Sequence, residues 1–200
     1  MILTLIRHGQ TDMGYQKKYC GSLDVPLNDE GKNQSEELAQ RFKDTAIDAV
    51  YSSDLKRAIQ TASIVFKNKN AVKRPCFREM GFGILEGLSY EEIISKYPDV
   101  YNTWINDPWT VVVPEGENFK DFRTRVKQGL EDLLAHHEGQ SIALVSHGGP
   151  IRVILCEALG RNFKDFWSFG QDNTAVNIIE YDPSQKPKVI VMNDTEHLKR

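Results

Sequence analysis

Two histidines in this chain each follow a short apolar segment and precede a glycine. The first stands in Arg-His8-Gly after residues 2–6, and the second stands in Ser-His147-Gly-Gly after residues 142–145. Short apolar segments of this kind predict buried strands, so each histidine follows the carboxyl end of a strand. Open α/β sheets bind ligands at that edge, and glycine lets the backbone approach a bound group closely. The pattern therefore predicts that the two imidazoles line one site.

Two arginines lie where they could join the same site. Arg7 directly precedes His8, and Arg57 follows a junction between a predicted strand and a predicted helix. Helix N-termini offer unpaired N–H groups and partial positive charge, and arginine binds phosphate oxygens in a bidentate manner. These groups suit a dianionic phosphoryl group. The chain has no G-x-x-x-x-G-K-[ST] sequence, so it does not contain a P-loop.

Strand-like and helix-like segments alternate along the chain, which predicts an α/β fold. We expect a single-domain, three-layer α/β/α sandwich over residues 1–200, with a mostly parallel central sheet. Strands are predicted over residues 2–6, 47–51, 71–77, 140–146, 174–181 and 187–192. Helices are predicted after a cap at Asn28, from residue 52, over residues 117–137 and from Pro150 to Ala158. Many aromatic side chains lie within residues 80–116. This composition predicts a lid-like insertion of short helices and loops.

Composition limits the partners and the compartment. The chain has 200 residues, is 40% apolar and carries a formal net charge of −3, so no global basic field attracts nucleic acid or a membrane. Its three cysteines are far apart, which argues against a zinc site or a disulfide framework. No window approaches the length of a membrane span. We expect a cytoplasmic monomer or homodimer that uses no metal.

Four motifs, in the order in which the family has them, resemble the histidine phosphatase superfamily, the phosphoglycerate-mutase-like group. They are Arg7-His8-Gly9, Ser53-Asp54-Leu55-x-Arg57-Ala58-x-x-Thr61-Ala62, Glu79 ahead of Gly-x-x-Glu86-Gly87, and Ser146-His147-Gly148-Gly149. The opening motif alone is moderately specific, and the four together are highly specific. The resemblance spans nearly the whole chain.

The resemblance implies a two-step phosphoryl transfer without metal or cofactor. His8 is the implied nucleophile, which forms a phosphohistidine. Arg7, Arg57 and His147 neutralise charge on the equatorial oxygens. Glu79 is the implied acid, which protonates the leaving oxygen and then activates water.

The resemblance also implies a set of substrate-binding residues, and two residues are candidates for the acid. The implied substrate-binding residues are Arg7, Gln10, Thr11, Gly21, Arg57, Glu79, His147 and Gly148. Glu86 is the alternative to Glu79 as the acid, because it lies in the same glycine-rich stretch. Met13 and Gly14 stand where many relatives have Trp-Asn, so one phosphate donor of the family pattern is missing.

The activity expected from the resemblance is metal-independent hydrolysis of a small phosphorylated metabolite, for which α-ribazole 5'-phosphate is one candidate. A cofactor-dependent phosphoglycerate mutase is an alternative, although Met80 follows Glu79 where such mutases have arginine. A relative that binds phosphate without catalysis is a second alternative.

Overall fold

The computed structural model describes residues 1–199, which build one six-stranded sheet with helices on both faces. The strands are β1 (Ile2–Arg7), β2 (Ala49–Ser52), β3 (Val72–Lys73), β4 (Ser141–Ser146), β5 (Val176–Glu180) and β6 (Lys188–Asp194). The helices are α1 (Asp12–Tyr15), α2 (Asp29–Phe42), α3 (Lys56–Val65), α4 (Tyr90–Lys96), α5 (Pro98–Asn106), α6 (Phe119–His136) and α7 (Gly148–Leu159). The spatial order of the strands is β3-β2-β4-β1-β5-β6, and β5 runs antiparallel to both of its neighbours. The predicted mostly parallel sheet is confirmed.

Successive side chains of the central strands point to opposite faces of the sheet, and this divides the hydrophobic core into two halves. Leu5 and Leu144 face one side, where they pack in a cluster with residues of α6 and α7. Ile6 and Val145 face the other side, where they pack with residues of α2 and α3. Each strand therefore supplies side chains to both halves. The predicted three-layer α/β/α arrangement is confirmed.

The pairing of β1 with β4 brings the two histidine motifs together. These strands are parallel neighbours, with Arg7 opposite Ser146. The backbone N–H of His8 donates to the carbonyl oxygen of Ser146 over 3.0 Å, which extends the pairing by one step. His8 and His147 therefore leave the sheet at the same level, on adjacent strands.

Two predicted element boundaries are wrong. The strand expected over residues 71–77 is only β3, because Pro75 lacks an N–H group and begins a 3₁₀ turn over Pro75–Phe77. The helix expected from residue 52 begins at Lys56, because Ser52 still belongs to β2. The backbone N–H of Lys56 donates to Asp24 Oδ1 over 2.6 Å, so the carboxylate at this helix start comes from a distant loop.

A third boundary also differs from the prediction. Pro150 was expected at the first position of its helix, but α7 begins at Gly148 and places the proline third. The first four N–H groups of a helix have no partner within it, so proline costs no intrahelical bond there either.

The segment 80–116 contains the short helices α4 and α5 and has a small core of its own. That core is built by Leu85, Ile93, Trp104 and Val113. Ser89 begins α4 with a capping box, in which its hydroxyl and the carboxylate of Glu92 each accept a backbone N–H. The aromatic side chains of this segment thus pack largely against one another, and movement of the segment as a lid stays a prediction. Within residues 1–199, no helix combines the length and the apolar character needed to cross a membrane.

Candidate active site

Arg57 joins the two histidines at the carboxyl edge of the sheet. Its Nε lies 3.2 Å from His8 Nε2 and 3.2 Å from His147 Nδ1. The two imidazole centroids are 5.0 Å apart. Arg57 is the second residue of α3 and is 1% exposed, so this side chain is enclosed by protein.

Backbone carbonyls fix the far end of the Arg57 guanidinium. Nη1 donates to the carbonyl oxygen of Leu23 over 2.6 Å, and Nη2 donates to that of Gly21 over 2.8 Å. A guanidinium has five N–H donors, so Nη1 and Nη2 each retain one more for a ligand. The carbonyl group of Gly21 thus holds Arg57, and the predicted contact of Gly21 with substrate stays a prediction.

The imidazole of His8 is held in the form that a nucleophile needs. Its Nδ1 lies 2.7 Å from the carbonyl oxygen of Gly9, so Nδ1 carries the proton and Nε2 presents a lone pair toward Arg57. Burial lowers the pKa of His8 well below its ordinary value, and the charges of Arg57 and Arg7 lower it further. The ring is therefore neutral at physiological pH.

His147 is also neutral, with the opposite tautomer. Nδ1 accepts from Arg57, and Nε2 lies 2.9 Å from the hydroxyl oxygen of Ser53, to which it donates. Burial lowers the pKa of His147 well below its ordinary value, and Arg57 adds to that effect. His147 is the N-cap residue of α7, so its ring lies at the positive end of that helix. A bound dianion would favour its protonation.

Arg7 supplies the second guanidinium. Its Nη1 donates to the carbonyl oxygen of Gln171, and its Nε is buried without a hydrogen-bond partner among the described residues. Burial lowers the pKa of Arg7, whereas the carboxylate of Glu79 raises it. The side chain is thus anchored at one nitrogen and has other donors unused.

Glu79 lies at the N-terminus of α7. Its Oε2 accepts from the backbone N–H of Gly149 over 3.1 Å, and its Oε1 accepts from Met80 N over 3.0 Å. A Cβ at position 149 would lie 2.1 Å from Oε1, so any larger residue would displace the carboxylate from this position. The second glycine of the Ser-His-Gly-Gly motif is thereby explained.

Glu86 holds a loop. Its Oε1 accepts from the backbone N–H groups of Ser22, over 2.7 Å, and Phe82, over 2.9 Å. The Ser22 hydroxyl donates to the same carboxylate, and a Cβ at Gly21 would lie 2.0 Å from Oε1. Since these contacts fix the loop that carries Gly21, the geometry favours Glu79 over Glu86 as the acid.

Two other residues predicted to bind substrate, Gln10 and Thr11, have hydrogen-bond partners within the protein. Gln10 Oε1 accepts from Asn28 over 3.0 Å, and Thr11 Oγ1 accepts from Gly14 N over 3.1 Å as the N-cap of α1. Gly148 opens α7 beside His147. The structure thus brings together His8, His147, Arg7, Arg57 and Glu79, whereas the side chains of Gln10 and Thr11 support helix starts.

Sequence reasoning missed Arg152. This residue is four positions after Gly148 on α7, so the two lie on the same face of the helix. Its Nη1 would be 3.0 Å from a Cβ at Gly148. The spacing from the histidine motif to an arginine one turn later could have indicated it.

No three His, Cys, Asp or Glu side chains within residues 1–199 cluster in a way that could hold a metal ion. The absence of a metal and of a cofactor from the reaction stays a prediction.

Comparison with known proteins agrees with this geometry. The family model described as the histidine phosphatase superfamily (branch 1) matches residues 3–195. Phosphoserine phosphatase 1 of Hydrogenobacter thermophilus is 34% identical over 198 residues, which cover 98% of this chain and 93% of that protein.

Solved structures show the same fold. The α-ribazole phosphatase of Shigella flexneri superposes with a TM-score of 0.90 at 29% identity, covering 98% of this chain and 97% of that one. A phosphoserine phosphatase mutant of Entamoeba histolytica, in complex with phosphoserine, gives a TM-score of 0.87 at 28% identity, covering 99% of both chains. The chain belongs to the histidine phosphatase superfamily. The predicted family and the predicted phosphatase class are confirmed.

Proposed function

We propose that this protein hydrolyses small phosphomonoesters in two steps through a phosphohistidine on His8. In the first step, the lone pair on His8 Nε2 leaves its hydrogen bond with Arg57 and attacks phosphorus, and the bond from phosphorus to the ester oxygen breaks. The Nδ1–H of His8 donates to the Gly9 carbonyl, which stabilises the positive charge that develops on the ring. Water then attacks phosphorus, the P–N bond breaks and phosphate is released.

The observation that carries this proposal is the placement of Arg57 against both imidazoles. Its Nε contacts His8 and His147 at the same distance, 3.2 Å, so one guanidinium fixes the nucleophile and its neighbour. Arg7, Arg57 and His147 then surround the phosphoryl oxygens. Fixed donors directed at transition-state charge supply much of the rate enhancement in reactions of this kind.

Glu79 completes the proposed cycle. Its carboxyl group protonates the leaving oxygen in the first step and, as a carboxylate, takes a proton from water in the second. The N–H groups of Met80 and Gly149 hold it in place between the steps.

The test is hydrolysis of para-nitrophenyl phosphate in excess chelator, with His8→Ala and His136→Ala as paired variants. His136 is an exposed control at the end of α6, where its ring contacts a backbone carbonyl of its own helix. We expect wild-type activity with chelator, a loss of at least about 10³-fold in His8→Ala and no loss in the control. Mass spectrometry of quenched wild type should find phosphate on His8.

Two results would overturn the proposal. Activity that disappears with chelator excludes the metal-free route, and activity that survives in His8→Ala excludes the nucleophile. The mutase alternative has its own readout: 3-phosphoglycerate with bisphosphoglycerate would be isomerised with little release of free phosphate.

Three narrower expectations accompany the proposal. The substrate is a small phosphorylated metabolite, for which α-ribazole 5'-phosphate and phosphoserine are candidates suggested by the relatives. The protein works in the cytoplasm. It is a monomer or homodimer, which sedimentation of the purified chain would distinguish.

A further inference from the structure

Arg152 is a third arginine at the edge of the site, and its contacts hold it from one side. Its Nε donates to the carbonyl oxygen of Phe169 over 2.8 Å. Its guanidinium carbon lies 5.8 Å from the ring centroids of Phe166 and of Trp167. One edge of the guanidinium is therefore anchored on the 3₁₀ turn Phe163–Ser168 and the residue that follows it.

The other edge has no partner. Within the described residues, Nη1 and Nη2 donate to no side-chain or backbone oxygen, and Arg152 forms no ion pair; its one hydrogen bond is made by Nε. This sets it apart from arginines such as Arg123, which pairs with Glu157, and Arg125, which pairs with Glu117. The half-buried cation on α7 thus presents an unused bidentate fork, which matches the geometry of a carboxylate.

A Cβ at Gly148 would lie 3.0 Å from Arg152 Nη1, and the next residue, Gly149, donates its backbone N–H to Glu79, so the fork lies beside the end of α7 that holds Glu79. Burial lowers the pKa of Arg152, while the charge of Glu79 raises it. Arg152 in turn lowers the pKa of Arg7. Arg152 is therefore close enough to Arg7 and to Glu79 for their charges to interact.

An aromatic cavity of about 510 Å³ has Trp167 in its wall, and the Arg152 guanidinium carbon lies 5.8 Å from the centroid of that ring. Phe82, three residues after Glu79 in the chain, also lines this cavity. Its volume suits a small organic group.

We propose that Arg152 is a specificity-determining residue that binds a carboxylate on the alcohol part of the substrate, so that the preferred substrates are phosphomonoesters of hydroxy acids. This inference rests on the proposed function. Arg7 and Arg57 meet the phosphoryl group, and the third arginine meets a second anionic group on the same molecule. A substrate with an uncharged alcohol part leaves this cation unused.

The test compares esters that differ in the carboxylate alone. O-phosphoserine is paired with O-phosphoethanolamine, and 3-phosphoglycerate is paired with glycerol 3-phosphate. Values of kcat/KM are measured for wild type, Arg152→Met and Arg152→Lys. Arg161→Met, an exposed position beyond the end of α7, is the matched control. Para-nitrophenyl phosphate reports on the reacting centre throughout.

We expect wild type to prefer the carboxylated member of each pair. In Arg152→Met that preference should fall by about 10- to 100-fold, mainly through KM, as expected for loss of hydrogen bonds to a charged group. Lysine should restore part of it, and Arg161→Met should retain the wild-type ratio. A merely structural role would lower both members of a pair equally and would leave their ratio unchanged.

Two failures can be told apart. If wild type hydrolyses para-nitrophenyl phosphate but shows no preference for carboxylated esters, or if Arg152→Met keeps the preference, the role of Arg152 is overturned and the phosphatase activity stands. If wild type hydrolyses none of the esters, the proposed function itself is overturned.

Discussion

The carboxylate of Glu79 accepts a hydrogen bond from the backbone N–H of Gly149, with 3.1 Å between the two heavy atoms. This contact ties the candidate acid to the N-terminus of α7, the same helix that begins after His147. The acid and one of the imidazoles are thus positioned by a single rigid element. A small displacement of this contact should change catalysis more than stability.

Gly149→Ala tests that relationship directly. The added methyl group would lie 2.1 Å from Glu79 Oε1, so the carboxylate has to move, and its side chain is flexible enough to do so. We expect kcat to fall by about 10²-fold, because misplacement of a reacting group by an ångström has an effect of that size. Steady-state kinetics measures the fall in kcat, and thermal unfolding of the same sample measures the change in stability, which should be smaller. A variant with wild-type kcat would show that the position of Glu79 is not critical.

The sequence predicted the parts of the site that depend on strand register. His8 and His147 each follow an apolar strand, and parallel pairing of those strands leaves little freedom in where the two rings lie. Arg57 was also expected close to a helix start, and it is the second residue of α3. Such features are local, since a strand end or a helix start can be recognised from a few neighbouring residues.

Contacts between distant loops could not be predicted in the same way. The start of α3 is fixed by Asp24, which lies 32 residues away from Lys56 in the chain. The choice between Glu79 and Glu86 depends on which backbone N–H groups each carboxylate meets. Arg152 is an unremarkable helix residue until the partners of its guanidinium are known. These features arise from packing, to which a single sequence gives no direct guide.

Gly129 in α6 should not tolerate alanine. A Cβ there would lie 2.6 Å from Cys76 Sγ and 2.9 Å from Phe77 Cζ, both on the 3₁₀ turn that precedes Glu79 in the chain. Alanine stabilises a helix interior by about 1 kcal/mol relative to glycine, but overpacking costs about 1–3 kcal/mol. We expect net destabilisation in urea unfolding, with Gln128→Ala on the same helix within about 0.5 kcal/mol of wild type.

Cys76→Ala supplies the second arm of that experiment. It removes the sulfur that the new methyl group would meet, so the double variant should be less destabilised than the sum of the single variants. Simple additivity would contradict the assigned clash.

The folding stability should fall as the pH drops through the ordinary histidine range. His8 and His147 have pKa values lowered by burial in the folded protein, whereas in the unfolded chain they titrate near their ordinary value, about 6.5. Below that pH the unfolded chain binds protons that the folded protein does not, so acid favours unfolding. The slope should approach about 1.4 kcal/mol per pH unit for each histidine.

Urea unfolding between pH 7.5 and 5.5 measures this slope, in a window above the titration of most carboxylates. The pKa of His197 is also lowered by burial and contributes in the same direction. His147→Asn should therefore reduce the slope without abolishing it. An equal slope in wild type and in the variant would contradict the neutral, buried state assigned to His147.

Glu79→Gln and Glu86→Gln should fail in different ways. Para-nitrophenolate leaves without needing a proton, so Glu79→Gln should still phosphorylate His8 but should hydrolyse the intermediate slowly. A stopped-flow trace would then show a burst of product followed by turnover about 10²- to 10⁴-fold slower than wild type. Glu86→Gln loses acceptors for Ser22 and Phe82, so we expect a higher KM, lower stability and no burst. A burst in Glu86→Gln and none in Glu79→Gln would reverse the two roles.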